Sequence, residues 1–178
     1  MTFRITRVDR TAFPDATSLS ESFAAFGIPA ATLEASFESF VCSAPLEAGR
    51  GYQQSIAREL EHHLSEELGA PEHRVVRRAR YSPHLNEQSD LAIRRDGTDS
   101  FVFIEIEFRP NVEKDLIKFQ IGKNSGRLAG AVLVLMTDRN SVNPRYTSMP
   151  EYRKFVRVIG ELRPQYPLLL VGLSGQHE

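Results

Sequence analysis

Three acidic residues near the middle of the chain have the types and spacing to hold a divalent metal ion. Glu105 and Glu107 stand at the end of the β-branched and aromatic run 101–108, which predicts a buried strand. Side chains alternate across a strand, so both carboxylates share one face with Phe101 and Phe103. A chain that is simply leaving its core would give the same pattern, so this pair alone does not define a site.

The segment before this strand brings a third carboxylate to the same face. Residues 91–93 form a second strand candidate, and Asp-Gly-Thr-Asp at 96–99 is a tight-turn signal. If residues 97–98 form a two-residue loop, Asp90 lies directly opposite Glu105. If residues 96–97 form the loop, Asp90 lies opposite Phe103 and is the diagonal neighbour of Glu105. Both registers keep Asp90 on the face of the glutamates, because only a one-residue slip would turn it away.

A face that carries Asp90, Glu105 and Glu107 needs a compensating cation, because opposed like charges destabilise a sheet. Oxygen ligands in small number are what Mg²⁺ prefers, with the other positions left to water and substrate phosphate. Mn²⁺ is expected to substitute for it. The pattern therefore predicts metal-assisted phosphodiester hydrolysis.

The spacing of these acids resembles the metal site of the PD-(D/E)xK, or restriction-endonuclease-like, superfamily. Ser89-Asp90, fourteen intervening residues and Glu105-Ile106-Glu107 follow its motif. Glu replaces Lys at the third position, which is similar to the E-x-E branch of the BamHI and BglII type. The proline that conventionally precedes the aspartate is absent. The resemblance in element order covers about 51–173.

The resemblance implies roles for the acidic residues and for one helix residue. Asp90 and Glu105, with the backbone carbonyl of Ile106, would hold Mg²⁺. Glu59, on the helix before the first core strand, would serve a second ion, although a solvated surface glutamate explains this position equally well. Glu107 would orient or deprotonate the attacking water, or bind the second metal. The implied substrate is DNA, and a two-fold homodimer would cut both of its strands.

The remaining patterns predict a mixed α/β core over 51–178, with a central sheet flanked by helices. The first predicted elements are a helix with an apolar stripe from Tyr52 to Leu68 and strands at 73–81, 91–93 and 101–108. A helix at 112–127 follows and packs through Val112, Leu116 and Phe119. The last elements are a strand at 131–136, a helix at 150–162 and a strand at 168–173. Residues 1–50 predict an N-terminal extension that packs on the core or lies at an interface.

One basic residue comes directly after the predicted catalytic strand, and four more lie along the predicted helix that follows it. They are Arg109, Lys114, Lys118, Lys123 and Arg127. An ordinary solvated helix face explains these charges equally well. In the nucleases that the sequence resembles, this helix lies near the scissile backbone, so phosphate contacts are the functional interpretation. Lys118 or Lys123 could also supply the cation that the third motif position lacks.

Composition limits the class of protein. The net charge is −1, so DNA binding would need local positive patches rather than a cationic surface. Cys42 is the only cysteine, which excludes an internal disulfide and a cysteine-based metal site and fits a cytoplasmic protein. There is no signal-peptide pattern, and no apolar run is long enough to span a bilayer.

Four functional interpretations stay open on the sequence alone. The first is a type II restriction endonuclease, and the second is a nuclease for repair or for structured DNA. The third is a non-catalytic DNA-binding or assembly domain on the same fold. The fourth is a plain α/β partner-binding protein whose two glutamates are only surface residues.

Overall fold

A computed structural model describes residues 2–11, 16–43, 50–68, 71–107, 112–136, 156–157 and 159–176. In chain order the elements are β1 (Thr2–Thr11), α1 (Ala16–Phe26), α2 (Ala30–Glu38), β2 (Val41–Ser43), α3 (Arg50–Glu67), β3 (His73–Arg77), β4 (Leu91–Arg95), β5 (Phe101–Glu107), α4 (Val112–Asn124), β6 (Leu128–Met136) and β7 (Leu168–Gln176). The strands form one sheet in the order β2-β1-β7-β6-β5-β4-β3.

The sheet is mixed and buried on both faces. One buried cluster joins it to the first three helices, and Ile56 and Leu60 of α3 belong to this cluster. The second cluster lies on the other face and contains Phe119 of α4. The central strand β6 contributes to both clusters, as its continuous apolar run predicts. The predicted α/β fold class, a mixed sheet flanked by helices, is confirmed, and the described elements follow the predicted order.

The hairpin of β4 and β5 sets the geometry at the end of the sheet. Leu91 pairs with Ile104 and Ile93 pairs with Val102, which confirms the first of the two predicted registers. Asp90, directly before β4, therefore comes opposite Glu105. β5 then pairs in parallel with β6 through the α4 crossover, as expected.

Among the element boundaries that differ from the sequence prediction, two have a clear local reason. The first core strand ends at Arg77 rather than at residue 81, because Arg78 adopts a left-handed backbone with φ 54° that interrupts the ladder. Helix α4 ends at Asn124 rather than at residue 127, where Gly126, with φ 70°, provides the left-handed residue that closes many helices.

The N-terminal segment is integrated into the same sheet. β1 pairs antiparallel with β7 along its length, and Phe23 and Phe37 are buried in the cluster that also holds Ile56. The predicted helix at 150–162 is described at 156–157 and 159–162, where it is helical, and its other residues lie outside the described ranges. Within those ranges, no helix combines the length and apolarity needed to cross a bilayer.

Candidate active site

Asp90 is fixed at the end of the sheet by the backbone of β5 and by a side chain of α3. Its Oδ2 accepts a hydrogen bond from the Ile106 amide at 2.8 Å and another from Gln53 Nε2 at 3.2 Å. Gln53 Nε2 also donates to the Ile106 carbonyl at 2.6 Å. One amide group therefore ties the aspartate and the neighbouring backbone carbonyl to α3.

Glu105 is buried on the α4 side of the same strand end and is 4% exposed. Its Oε1 accepts hydrogen bonds from the Tyr81 hydroxyl at 2.6 Å and from Lys118 Nζ at 2.9 Å. Tyr81 is held in turn against the rings of Phe103 and Phe119. The tyrosine and the lysine therefore fix one oxygen of the glutamate from two sides.

Asp115, in the first turn of α4, is a buried acid that sequence analysis did not select. It is 1% exposed, and its Oδ1 lies 3.1 Å from Lys118 Nζ and 3.8 Å from Lys114 Nζ. Neither of its oxygens has a hydrogen bond of normal geometry within the described part of the chain. The ammonium of Lys118 thus lies between two buried carboxylates, those of Glu105 and Asp115.

The charges of this cluster change the protonation of its members. Burial, and then the charge of Asp90, raise the pKa of Glu105 to about 8, against the lowering effect of Lys118. Burial also raises the pKa of Asp115. For Lys118, burial acts to lower the pKa, but the two adjacent carboxylates outweigh it and leave the pKa above its ordinary value. Lys118 is therefore charged at neutral pH, and the raised pKa of Glu105 means that its surroundings disfavour the ionised carboxylate despite the nearby ammonium.

Glu107 is the last residue of β5 and is half-buried. Its Oε2 is 3.9 Å from Lys114 Nζ, at the rim of the site. The predicted face therefore carries Glu105 in the buried part and Glu107 at the edge, with a lysine of α4 beside each of them.

The structure does not bring all the predicted site residues together. Glu59 is exposed and lies near the Cys42 thiol. Burial, and then the charge of this carboxylate, raise the pKa of the thiol to about 12. Glu59 is six residues from Gln53, which turns it about 120° away from the site on an ideal helix. The α3 residue that reaches the site is Gln53, so the expectation for Glu59 has no geometric support.

The predicted DNA contacts on and just after α4 divide into two groups. Lys114 and Lys118 lie beside the carboxylates. Lys123 donates to the Gln165 carbonyl, and Arg127 pairs with Asp99 and lies 4.7 Å from the centre of a phenylalanine ring at the start of β5. These last two are engaged at the opposite end of the strands, away from the site. Arg109 lies outside the described residues.

A metal site is not preformed among the described residues, since no three His, Cys, Asp or Glu side chains converge there in metal-binding geometry. The donors nonetheless suit a hard cation. Asp90 and Glu105 each use one oxygen, and their second oxygens, Oδ1 and Oε2, have no hydrogen bond to the described residues. Buried Asp115 adds a further negative charge near them, which the ion pair of its Oδ1 with Lys118 compensates while its Oδ2 has no hydrogen-bond partner among the described residues.

Comparison with known proteins adds little beyond this geometry. No protein-family model matches the chain, and no curated protein matches it in sequence. Among solved structures it is similar to the crystal structure of free BglII, with a TM-score of 0.43 and 10% sequence identity, over 97% of this chain and 82% of that chain. At this level the likeness carries no conclusion about activity, which rests on the residues themselves.

Proposed function

We propose that this chain is a metal-dependent phosphodiester hydrolase that acts on DNA, with Mg²⁺ as its cofactor and Mn²⁺ as a substitute. The observation that carries the proposal is the Asp90 and Glu105 pair at the end of β5, in which each carboxylate has one oxygen without a hydrogen bond to the described residues. Glu105 is buried and Asp90 is half-buried near it, and neighbouring carboxylates of this kind are unfavourable in their ionised forms unless a cation compensates for their charge.

The donor set fits Mg²⁺. Asp90 Oδ1 and Glu105 Oε2 would hold the ion, and the Ile106 carbonyl keeps a second lone pair beside its hydrogen bond from Gln53. When bound, the ion would supply Lewis-acid polarisation of the phosphoryl oxygen and a lowered pKa for a bound water. Glu59 has no part in this proposal, because α3 presents Gln53 to the site instead.

The residues of the chain itself would position the substrate and its charge. The ammonium of Lys118, held by Glu105 and Asp115, would stabilise negative charge on the phosphoryl oxygens. Lys118 would thus supply from α4 the cation that the third motif position lacks. Glu107, at the rim, would orient the attacking water, and Lys114 beside it would contact the DNA backbone.

The finer form of the proposal is a homodimeric type II restriction endonuclease of the E-x-E branch. The motif Ser89-Asp90 followed by Glu105-Ile106-Glu107 supports this form. A repair nuclease is the variant without sequence specificity. Discrete fragments from a DNA of known sequence favour restriction, and a smear of fragments favours the other role.

A non-catalytic DNA-binding or assembly domain is a second candidate, and one observation favours it. Lys118 already places a positive charge between Glu105 and Asp115, so the site is partly neutralised without a metal ion. In that case DNA would bind with the same affinity whether or not Mg²⁺ is added.

The test is Mg²⁺- and Mn²⁺-dependent cleavage of duplex and single-stranded DNA by the wild type and by Asp90→Asn. The matched control is Asp96→Asn, which makes the same substitution at the other end of β4, about 20 Å away for an extended strand. We expect cleavage that needs the metal, is lost in Asp90→Asn and is kept in Asp96→Asn. Equal cleavage by the wild type and Asp90→Asn would remove this site from the reaction.

A further inference from the structure

A cavity of about 270 Å³ opens beside Asp90, between the first half of α3 and the end of β3. Three arginines line it: Arg58 of α3, Arg77 of β3 and Arg78 just after β3. Side-chain amides of α3 complete the wall on the side of the aspartate. Three guanidinium groups therefore line the same cavity as the carboxylate that we assign to the metal site.

The cavity has an excess of positive charge in a chain whose net charge is −1. Arg77 is paired with Glu61 of α3. Arg58 and Arg78 make no ion pair with any residue that the structure describes, and both are exposed. Against the carboxylates of Asp90 and Glu61, the three guanidinium groups leave one net positive charge. An anion is the ligand that this wall would attract.

Arg78 also has a backbone that its side chain disfavours. Its φ of 54° lies in the left-handed region, where a Cβ is unfavourable and glycine is the preferred residue. Strained backbone of this kind persists where the surrounding structure imposes it, and it is enriched at ligand sites. At Arg78 the strained residue lies on the cavity wall.

We propose that this cavity binds a phosphate group of a nucleic-acid strand, next to the phosphate that the carboxylates would cleave. A guanidinium group presents paired N–H donors that match two phosphate oxygens, which suits Arg58 and Arg78 to this ligand. The inference rests on the proposed function for its substrate. The phosphate is either an internal one of the backbone or the terminal one of a strand end.

The experiment measures DNA binding without metal, so that it does not depend on cleavage. Binding of a short fluorescein-labelled duplex is followed by anisotropy in EDTA over a series of salt concentrations, for the wild type, Arg58→Ala and Arg78→Gly. Arg74→Ala is the charge-matched control, because Arg74 lies on β3 close to these residues in sequence but pairs with Asp96 and does not line the cavity.

We expect Arg58→Ala and Arg78→Gly to weaken binding by about tenfold to a hundredfold. Each should also reduce the slope of log affinity against log salt by about 0.9, the value for one lost phosphate contact. Glycine accepts the left-handed backbone, so Arg78→Gly should unfold at the wild-type temperature or above it. A purely structural role for Arg78 would instead lower that temperature and leave the salt slope unchanged.

Two results would overturn the proposal. One is that both cavity variants bind with the affinity and salt slope of Arg74→Ala, and the other is that the wild type does not bind DNA in EDTA. Repeating the titration with 5′-phosphorylated and unphosphorylated strands separates the two sources of the phosphate. If DNA binding depends on the arginines but no DNA is cleaved, the proposed function alone is refuted. If DNA is cleaved and the arginine variants bind it as tightly as the wild type does, this inference alone is refuted.

Discussion

Substitution of Glu105 by Gln should change how the stability of the metal-free protein depends on pH. The pKa of Glu105 is about 8 in the folded protein, against an ordinary value of 4.5, because the side chain is buried and lies near Asp90. Below about pH 4.5 both the folded and the unfolded state hold the proton. Between pH 4.5 and 8 the unfolded state loses it while the folded state keeps it, so stability falls as pH rises.

One proton bound only by the folded state gives a slope of about 1.4 kcal/mol per pH unit. Over this window the effect reaches a few kcal/mol, on the order of 4, since Glu105 is only 4% exposed and solvent screens it little. The Glu105→Gln variant lacks the titration but keeps an oxygen that can accept from the Tyr81 hydroxyl. Its stability relative to the wild type should therefore increase with pH across the window and level off above pH 8.

The assay is urea unfolding at a series of pH values from 5 to 9 in EDTA. Glu67→Gln, an exposed position on α3, controls for the loss of one negative charge and should follow the wild type. A constant difference between wild type and Glu105→Gln over pH 5–8 would refute the reasoning. It would mean that Glu105 is ionised in the folded protein and that its ion pair with Lys118 outweighs burial.

Two further substitutions test the packing towards the end of the sheet that lies away from the site. Gly130→Ala should destabilise the fold by about 1–3 kcal/mol in urea unfolding, because a Cβ there would lie 2.6 Å from the ring of Phe23. An unchanged unfolding midpoint would contradict that close contact. Arg127→Ala should destabilise by about 2 kcal/mol, since it removes the pair with Asp99 and the contact with the Phe101 ring. Its salt slope for DNA binding should match the wild type, and a reduced slope with normal stability would return Arg127 to the DNA interface.

The central strands of the site could be predicted from sequence because two independent signals agreed. The alternation of residues 101–107 separated Val102 and Ile104 from Phe103 and Glu105 on the two faces of the sheet, and the turn at 96–99 limited the pairing of β4 with β5 to two registers. Both even-length loops left Asp90 on the same side as Glu105. The carboxylate pair therefore followed from local rules alone.

The groups that hold these carboxylates depend on how the helices pack, which local patterns do not specify. An aspartate in the first turn of a helix is usually a solvated acid that interacts favourably with the helix dipole. Asp115 is instead buried on the inner face of α4. The apolar residue Ile117 is 62% exposed, so the buried face of α4 runs through Asp115, Phe119 and Gly122. The spacing of Asp115, Lys118 and Phe119 on one helix face was the available signal.

Tyr81 and Gln53 were missed for a related reason. Tyr81 lies in the irregular segment after Arg78, and its ring reaches the core only because that segment folds back over Phe103. Gln53 is one of two adjacent glutamines, and only the packing of α3 against the sheet directs it to Asp90. Neither residue belongs to a repeating pattern, so no period in the sequence marks it.

The most direct test of the central claim is a calorimetric titration of the metal-free wild type with Mn²⁺, beside Asp90→Asn. We predict saturable binding to the wild type, release of protons near neutral pH as Glu105 ionises, and loss of binding in the variant. Equal binding by both proteins, or no binding by the wild type, would contradict the claim that Asp90 and Glu105 form a divalent metal site.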